Sequence, residues 1–313
     1  MILLWGISGD DPMAAVYESL LKLGALVVFL DQIQTRDSQL ELSIAKEVSG
    51  LLKIGSKVVD VSTITSAYIR PYDSIRIKTI REEGDEAENR RINEDSSFNI
   101  LNFDDALLCW TEITEAFVVN KPSAMASNNS KPYQANLIRS YGLDIPDTLV
   151  TTDEHAVLEF WEKHKKVIYK SLSGFRSIVS QLKLEDKERL KKVSTCPTQF
   201  QEYIEGIDYR VHVVGEDLFV SKIICNADDY RYPWKQGCGV QVSSSTIPED
   251  ISERCIKLME SLHLHLAGID LRCTHDGRWY CFEVNPSPGF TFYQESTGQA
   301  ISDSVAHLLL TKK

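Results

Sequence analysis

Asp276-Gly277 lies between two β-prone runs, and residues 266–285 have the pattern of a hairpin. An Asp-Gly pair in that setting is a strong two-residue turn signal, because both turn positions favour positive φ. With those two residues as the loop, Asp270 falls opposite Glu283 and Gly268 opposite Asn285. Side chains alternate along strands. One face therefore carries Ile269, Leu271, Phe282 and Val284, an apolar set for a core. The other carries Asp270, Arg272, Glu283 and Asn285. Directly opposed carboxylates repel, and a divalent cation between them reverses the sign. Three oxygen donors without Cys or His suit a hard ion, Mg²⁺ or Mn²⁺. A solvated face on which Arg272 neutralises one acid explains the same pattern, and at this level both readings stand.

Bulk properties narrow the field. The chain has 313 residues and is 43% apolar, enough for two or three packed subdomains. A net charge of -11 argues against a nucleic-acid partner. An anionic nucleotide could still be held by a few lysines and a metal. The 7 cysteines contain no CxxC pair. An odd, unpatterned count points to reduced thiols and a cytoplasmic location. The opening "MILLWGISGDD" lacks a basic region. No apolar stretch approaches the roughly 18 residues of a membrane span. Neither signal peptide nor membrane anchor is expected, and no internal repeat is visible.

Residues 2–5 and 25–30 have strand character, and 11–23 have helical character, with Pro12 in the first turn and Gly24 past the end. This predicts a βαβ unit and a parallel sheet. "GISG" after the first strand fits a plain turn better than a phosphate loop. Residues 81–95 are highly charged, as an exposed helix or a mobile loop. Helical periodicity returns over 103–117. The small and polar residues of 120–130 mark a boundary.

Beyond it, Lys131-Pro132 opens a helix that Gly142 closes. A lysine at a helix N-terminus opposes the macrodipole unless an anion binds there; a solvated lysine is the other reading. Lys170 ends a short β-run before the loop "SLSG", where a lysine can reach phosphates, although most lysines are simply exposed. "QFQEYI" is a strand entering a turn at Glu205-Gly206. "DYRVHVV" places Asp208, Arg210 and His212 on one face. Asp208 with Arg210 could equally be a surface ion pair, and His212 one more polar side chain. His263 and His265 lack a third ligand nearby and are expected to pack at a helix end.

The order Lys131, Lys170, "QEYI", "DYR", then Asp270 with Glu283-x-Asn285, resembles the ATP-grasp superfamily, specifically RimK-like carboxylate–amine ligases. The similarity spans about 121–313. "KPYQANLIRSYGLDIPDTLVTTD", "YKSL" and "GIDLR…FEVNP" look closer still to the graspetide (microviridin-type) peptide ligases. The resemblance implies mixed α/β and α+β architecture: an ATP-grasp fold with an N-terminal pre-ATP-grasp α/β domain. The implied divisions are 1–118, a central subdomain 119–195, and a C-terminal subdomain 196–313 carrying the metal site. Lys131 and Lys170 match phosphate-binding lysines. Gln201, Glu202, Tyr203 and Ile204 match the adenine hinge, and Asp208 the ribose acid. Arg210, Arg231 and Lys170 match catalytic cations, and Asp270, Glu283 and Asn285 the ligands of Mg²⁺ (or Mn²⁺). The implied reaction is ATP-dependent joining of a carboxylate to an amine or hydroxyl through an acyl phosphate, releasing ADP and phosphate. The substrate would be a small molecule or a peptide, and the protein a homodimer or tetramer. The first alternative is a graspetide-type peptide macrocyclase forming side-chain amide or ester bonds; an ATP-grasp kinase and a non-catalytic nucleotide-binding regulator are the further ones. The loop "KSLSGFRS" has one glycine where many relatives have several. The "NPSPGFTFYQESTG" stretch also departs from the ligase branch, which bears on the acceptor substrate more than on the ATP site.

Overall fold

Every residue of β1 (Ile2–Gly6) is buried, which requires packed layers on both sides of its sheet. The computed structural model describes residues 1–72, 90–172, 179–225 and 239–312, and of 36–37 and 90–101 the backbone alone. α1 (Asp11–Lys22) follows β1, capped by Asp10, whose carboxylate accepts the Met13 N–H. β2 (Val27–Asp31) starts two residues later than the sequence pattern predicts. The reason is that Gly24 (φ 71) and the Ala25 N–H, bonded to Leu20 O, are still closing the helix.

β3 (Ser38–Ile44), β4 (Val48–Ile54) and β5 (Lys57–Asp60) form an antiparallel meander. β6 (Ser66–Ile69) pairs parallel with β1, and after α2 (Arg90–Ile113) β7 (Phe117–Val119) pairs parallel with β6. The predicted helix over 103–117 therefore ends early, because Phe117–Val119 joins the sheet instead. In the charged segment, residues 90–95 are helical backbone and the rest lies outside the described residues. The sheet order is β2-β1-β6-β7. Leu3 and Trp5 face the meander and α2 through Leu52, Val59, Leu107 and Trp110.

The chain continues through α3 (Pro122–Met125) and α4 (Lys131–Ser140). It then builds β8 (Thr148–Thr151), α5 (Glu154–His164), β9 (Val167–Ser171), β10 (Ser180–Gln181), a 3-10 segment (Leu184–Thr195) and β11 (Thr198–Glu202). These strands form an antiparallel sheet ordered β10-β9-β11-β8. Val157, Val167, Leu182, Leu190 and Phe200 are its core.

The last sheet is antiparallel: β12 (Ile207–Val214), β13 (Asp217–Cys225), β14 (Val240–Ser245), then α6 (Glu249–Ser261), β15 (Leu266–Cys273) and β16 (Trp279–Asn285), ordered β14-β13-β12-β15-β16. α7 (Thr291–Thr297) and α8 (Ile301–Thr311) follow. Val211, Val213, Ile269, Leu271 and Val284 pack on α6 and α4 through Ile251, Leu258 and Ile138. The opposite face of β1, Ile2 and Leu4, packs with Val214, Leu266 and α8. The first and last sheets thus share a core.

The β15–β16 hairpin corrects one sequence expectation and preserves another. The Thr274 N–H bonds Arg278 O, so His275, Asp276 and Gly277 form a three-residue loop, with Gly277 at φ 83. That extra loop residue pairs Leu271 with Cys281. A bulge between Asp270 and Leu271 then restores the expected pairs Asp270 with Glu283 and Gly268 with Asn285. Phe282 is the residue left unpaired. It is half-buried rather than in the core, with the Arg272 guanidinium 5.3 Å from its ring centre. Cys281 takes the core position instead.

Candidate active site

The restored register puts Asp270, Glu283 and Asn285 on the sheet face away from α6. β12 adds Asp208, Arg210 and His212 to that face, opposite Arg272, Asp270 and Gly268 respectively. Arg210 Nη1 lies 2.6 Å from Asp270 Oδ1. Lys131, the first residue of α4, lies 3.7 Å from Glu283 Oε1. Arg272, which composition alone offered as the neutralising partner, does something else. It grips both oxygens of Asp208 at 2.7 and 2.9 Å and donates to Ile204 O at 2.7 Å. Each acid of the facing pair therefore has its own cation.

The donor chemistry of Asp270, Glu283 and Asn285 fits a hard divalent ion. Asn285 Oδ1 accepts the Ser287 N–H at 2.9 Å, and an amide oxygen keeps a second lone pair for a ligand. Among the described residues no cluster of three or more His, Cys, Asp or Glu side chains could hold a metal; this set is two carboxylates and an amide. His265 packs at a tilt against Phe117 with ring centres 4.5 Å apart, and its backbone N–H donates to Asn120 Oδ1.

A cleft separates this face from the central sheet. Lys170, Gln201, Ile204, Asp208, Asp270 and Glu283 line it, along with Glu202, Tyr203 and Phe282. Lys170 is buried on β9 opposite Gln199. Gln201 donates to Thr148 Oγ1 at 2.9 Å, while its buried Oε1 has no partner among the described residues. A buried unpaired acceptor costs free energy, and an exocyclic amino group entering the cleft would satisfy it. That acceptor fits a nucleobase carrying an exocyclic amino group. The Glu202 carboxylate is engaged elsewhere: it accepts the Asp147 N–H at 2.9 Å and lies 3.3 Å from His164 Nδ1. Arg231 and most of the "SLSGFRS" loop lie outside the described residues.

Beside Arg210, His212 is fully buried, its Nε2 3.5 Å from Arg210 Nε. Burial first, then the Arg210 charge, push its imidazole well below the usual range, so it is neutral and can accept.

Two supporting residues escape sequence reading. Gly268 leaves room for Arg210, whose guanidinium occupies the space a Cβ would take. Gln134 on α4 donates to Val284 O at 2.8 Å and accepts the Val284 N–H at 3.0 Å. It completes the edge of β16 and ties the helix bearing Lys131 to the strand bearing Glu283. Gln134→Ala is expected to lower stability by about 1–3 kcal/mol, measured by urea unfolding. An unchanged midpoint would mean that these bonds are replaced by water without loss. A glutamine among "YQANLI" carries no signal of this role, because the partner strand lies far along the chain.

Residues of two antiparallel sheets thus face each other across this cleft. The macrocyclase MdnC of Microcystis aeruginosa MRC, solved with the precursor peptide MdnA, superposes with a TM-score of 0.80 at 21% identity, over 99% of each chain. A RiPP-associated ATP-grasp ligase of Chryseobacterium gregarium, solved with ADP and a leader and core peptide, gives 0.80 at 22%, over 100% of this chain and 97% of that one. At these identities the likeness establishes the fold. The chain belongs to the RimK-like ATP-grasp family, whose domain model matches residues 127–309, more than half of its length. It is 29% identical over 181 residues to D-alanine–D-alanine ligase of Aquifex aeolicus, covering 54% of this chain and 62% of that protein. It is 22% identical over 218 residues to a probable alpha-L-glutamate ligase of Vibrio atlanticus, covering 66% and 71%. Among the described residues no helix is long and apolar enough to cross a membrane.

Proposed function

We propose that this protein is an ATP-dependent ligase that activates a carboxylate as an acyl phosphate and joins it to an amine or hydroxyl, releasing ADP and phosphate. One observation carries the reading: Lys170, Asp270 and Glu283 line a single cleft, with Lys131 3.7 Å from Glu283 and Arg210 2.6 Å from Asp270. Gln201 Oε1 would accept from the adenine amino group, with the Glu202–Ile204 backbone alongside it and Tyr203 beside the ring. Asp208 would hold the ribose. Lys131 and Lys170 would hold phosphates, and Arg210, with Arg231, would offset charge on the transferring phosphoryl group. Asp270, Glu283 and Asn285 would hold Mg²⁺ (or Mn²⁺), which when bound offsets phosphate charge. No enzyme nucleophile is required. The division into 1–118, 119–195 and 196–313 belongs to the same proposal.

Within this class we favour a graspetide-type peptide ligase that forms side-chain amides or esters. Two considerations support it: the solved structures with near-complete overlap include ligases bound to precursor or leader peptides, and the central sheet carries a groove distinct from the cleft. Tyr169, Leu182, Leu190, Val193 and Phe200 line that groove together with Asp186, Arg189 and Lys192, and Arg189 is paired with Asp186 at 2.9 Å. An apolar lining beside the exposed Lys192 suits an amphipathic leader that brings an acidic residue to that point. Lys192→Glu is expected to weaken peptide-stimulated ADP release while leaving folding unchanged, because Lys192 is exposed. Equal stimulation of both proteins would remove the groove from the reading.

ADP release with Mg²⁺-ATP, stimulated by peptide-sized or small-metabolite fractions, tests the function. Peptide stimulation with loss of about 18 Da per bond formed, the mass of one water, supports the macrocyclase. Stimulation by small metabolites alone supports a small-molecule ligase, and a product that gains phosphate supports a kinase. ATP binding without turnover would support a regulator, which the complete Asp270–Glu283–Asn285 set argues against.

A further inference from the structure

The loop after β16 is held from two directions by residues of the first sheet. Arg70, just beyond β6, is 8% exposed. Its Nε lies 2.6 Å from Asp10 Oδ2, and Tyr72 Oη donates to Asp10 Oδ1 at 2.8 Å. Arg70 Nη1 reaches across to donate to Ser287 Oγ at 3.1 Å and to Pro288 O at 2.9 Å. From the other side Asn120, just after β7, donates Nδ2 to Pro286 O and Leu266 O, each at 2.7 Å. Ser287, between these two anchors, gives its N–H to Asn285 Oδ1.

We infer that Arg70 is a positioning residue for the metal site, fixing the aim of the Asn285 amide through Ser287 and Pro288. The inference rests on the proposed ligand role of Asn285. The terminal torsion of an asparagine is broad and weakly fixed by its own rotamer. A ligand oxygen on such a side chain points reliably only if a second group holds it. The Ser287 N–H does so, and it stays in place only while the loop does. Pro286 and Pro288 restrict the backbone and offer no N–H of their own, so the loop depends on bonds to its carbonyls and to Ser287. A buried guanidinium suits this position, because its planar fork can satisfy Asp10 on one side and the loop on the other. The link also makes the first sheet part of the metal site rather than only a neighbouring layer.

The test is Mn²⁺ binding to the full chain with a non-hydrolysable ATP analogue, read from the electron paramagnetic resonance signal of free Mn²⁺, alongside Tm. Loss of a partner that orients a metal ligand typically costs 10–100-fold in affinity. Asn285→Ala, which removes a proposed ligand, is expected to weaken binding by at least that much. Arg70→Met and Arg70→Lys are expected to weaken Mn²⁺ binding by about tenfold, at the lower end, and Ser287→Ala by less, with binding of the metal-free analogue unchanged. Arg70→Met strands a buried Asp10; if it fails to fold, Arg70→Lys and Ser287→Ala decide. Wild-type Mn²⁺ affinity in the folded Arg70 and Ser287 variants, with Asn285→Ala weakened, overturns the positioning role. Wild-type affinity in Asn285→Ala overturns the metal reading itself, and this inference with it.

Discussion

Glu283→Gln is expected to lower turnover by about 10²–10³-fold, the range seen when one electrostatic stabiliser of a transferring charge is lost, with Tm unchanged or raised. Gln keeps the shape of the side chain and one oxygen but removes the charge. The Lys131 contact it disrupts spans 3.7 Å at a partly exposed site, and such pairs contribute about 0–1 kcal/mol. Against that small loss stands relief of repulsion with Asp270, its direct cross-strand partner. An activity loss without a stability loss is the signature of a residue kept for chemistry. ADP release by the purified variant, with thermal melting beside it, reads both quantities. Near wild-type turnover would count strongly against the metal assignment. A collapse of Tm would mean instead that Glu283 is structural.

How much of this site could be read from the chain? Asp270, Glu283 and Asn285 lie on a hairpin, where pairing follows from local turn chemistry and strand alternation. Their juxtaposition was therefore legible. It was legible partly by compensation, because the three-residue loop and the bulge at Phe282 shift the register in opposite senses. The misplacement of Phe282 is the trace of that cancellation. Lys170 and "QEYI" were readable because β9 and β11 are short runs bounded by turn residues, and they pair directly. What stayed hidden depends on contacts between distant segments. Arg272 chooses Asp208 over Asp270 because β12 lies beside β15, and no pattern within 266–285 contains that strand order. Gln134 meets Val284, and Arg70 meets Ser287, across |i−j| of 150 and 217. In the first sheet, β1 and α1 were readable as a local unit. The departure of Phe117 from the helix was not, since β6, with which it pairs, supplies the reason.

Gly268→Ala is expected to cost activity on the scale of losing Arg210 itself, about 10²-fold in kcat, although it changes no charged group. A Cβ at this position would collide with Nη2, Cζ and Nε of Arg210. The guanidinium has little room to yield: Arg210 is 6% exposed, His212 is fully buried beside it, and the Tyr293 ring centre lies 6.0 Å away. Relief therefore requires moving the head group off Asp270, breaking the 2.6 Å contact. Overpacking of this kind costs about 1–3 kcal/mol, partly offset because alanine loses less chain entropy on folding than glycine. The fold should survive, and the KM for ATP should change little, since Lys131, Lys170 and the Gln201 amide do not touch this position. A double-mutant cycle separates the mechanism from general damage. If Gly268→Ala acts through Arg210, adding it to Arg210→Met should cost almost nothing further, because residues acting on one interaction are not additive. Losses that multiply would show that the two positions act independently. Full activity in Gly268→Ala would show that the guanidinium need not lie where β15 leaves space for it.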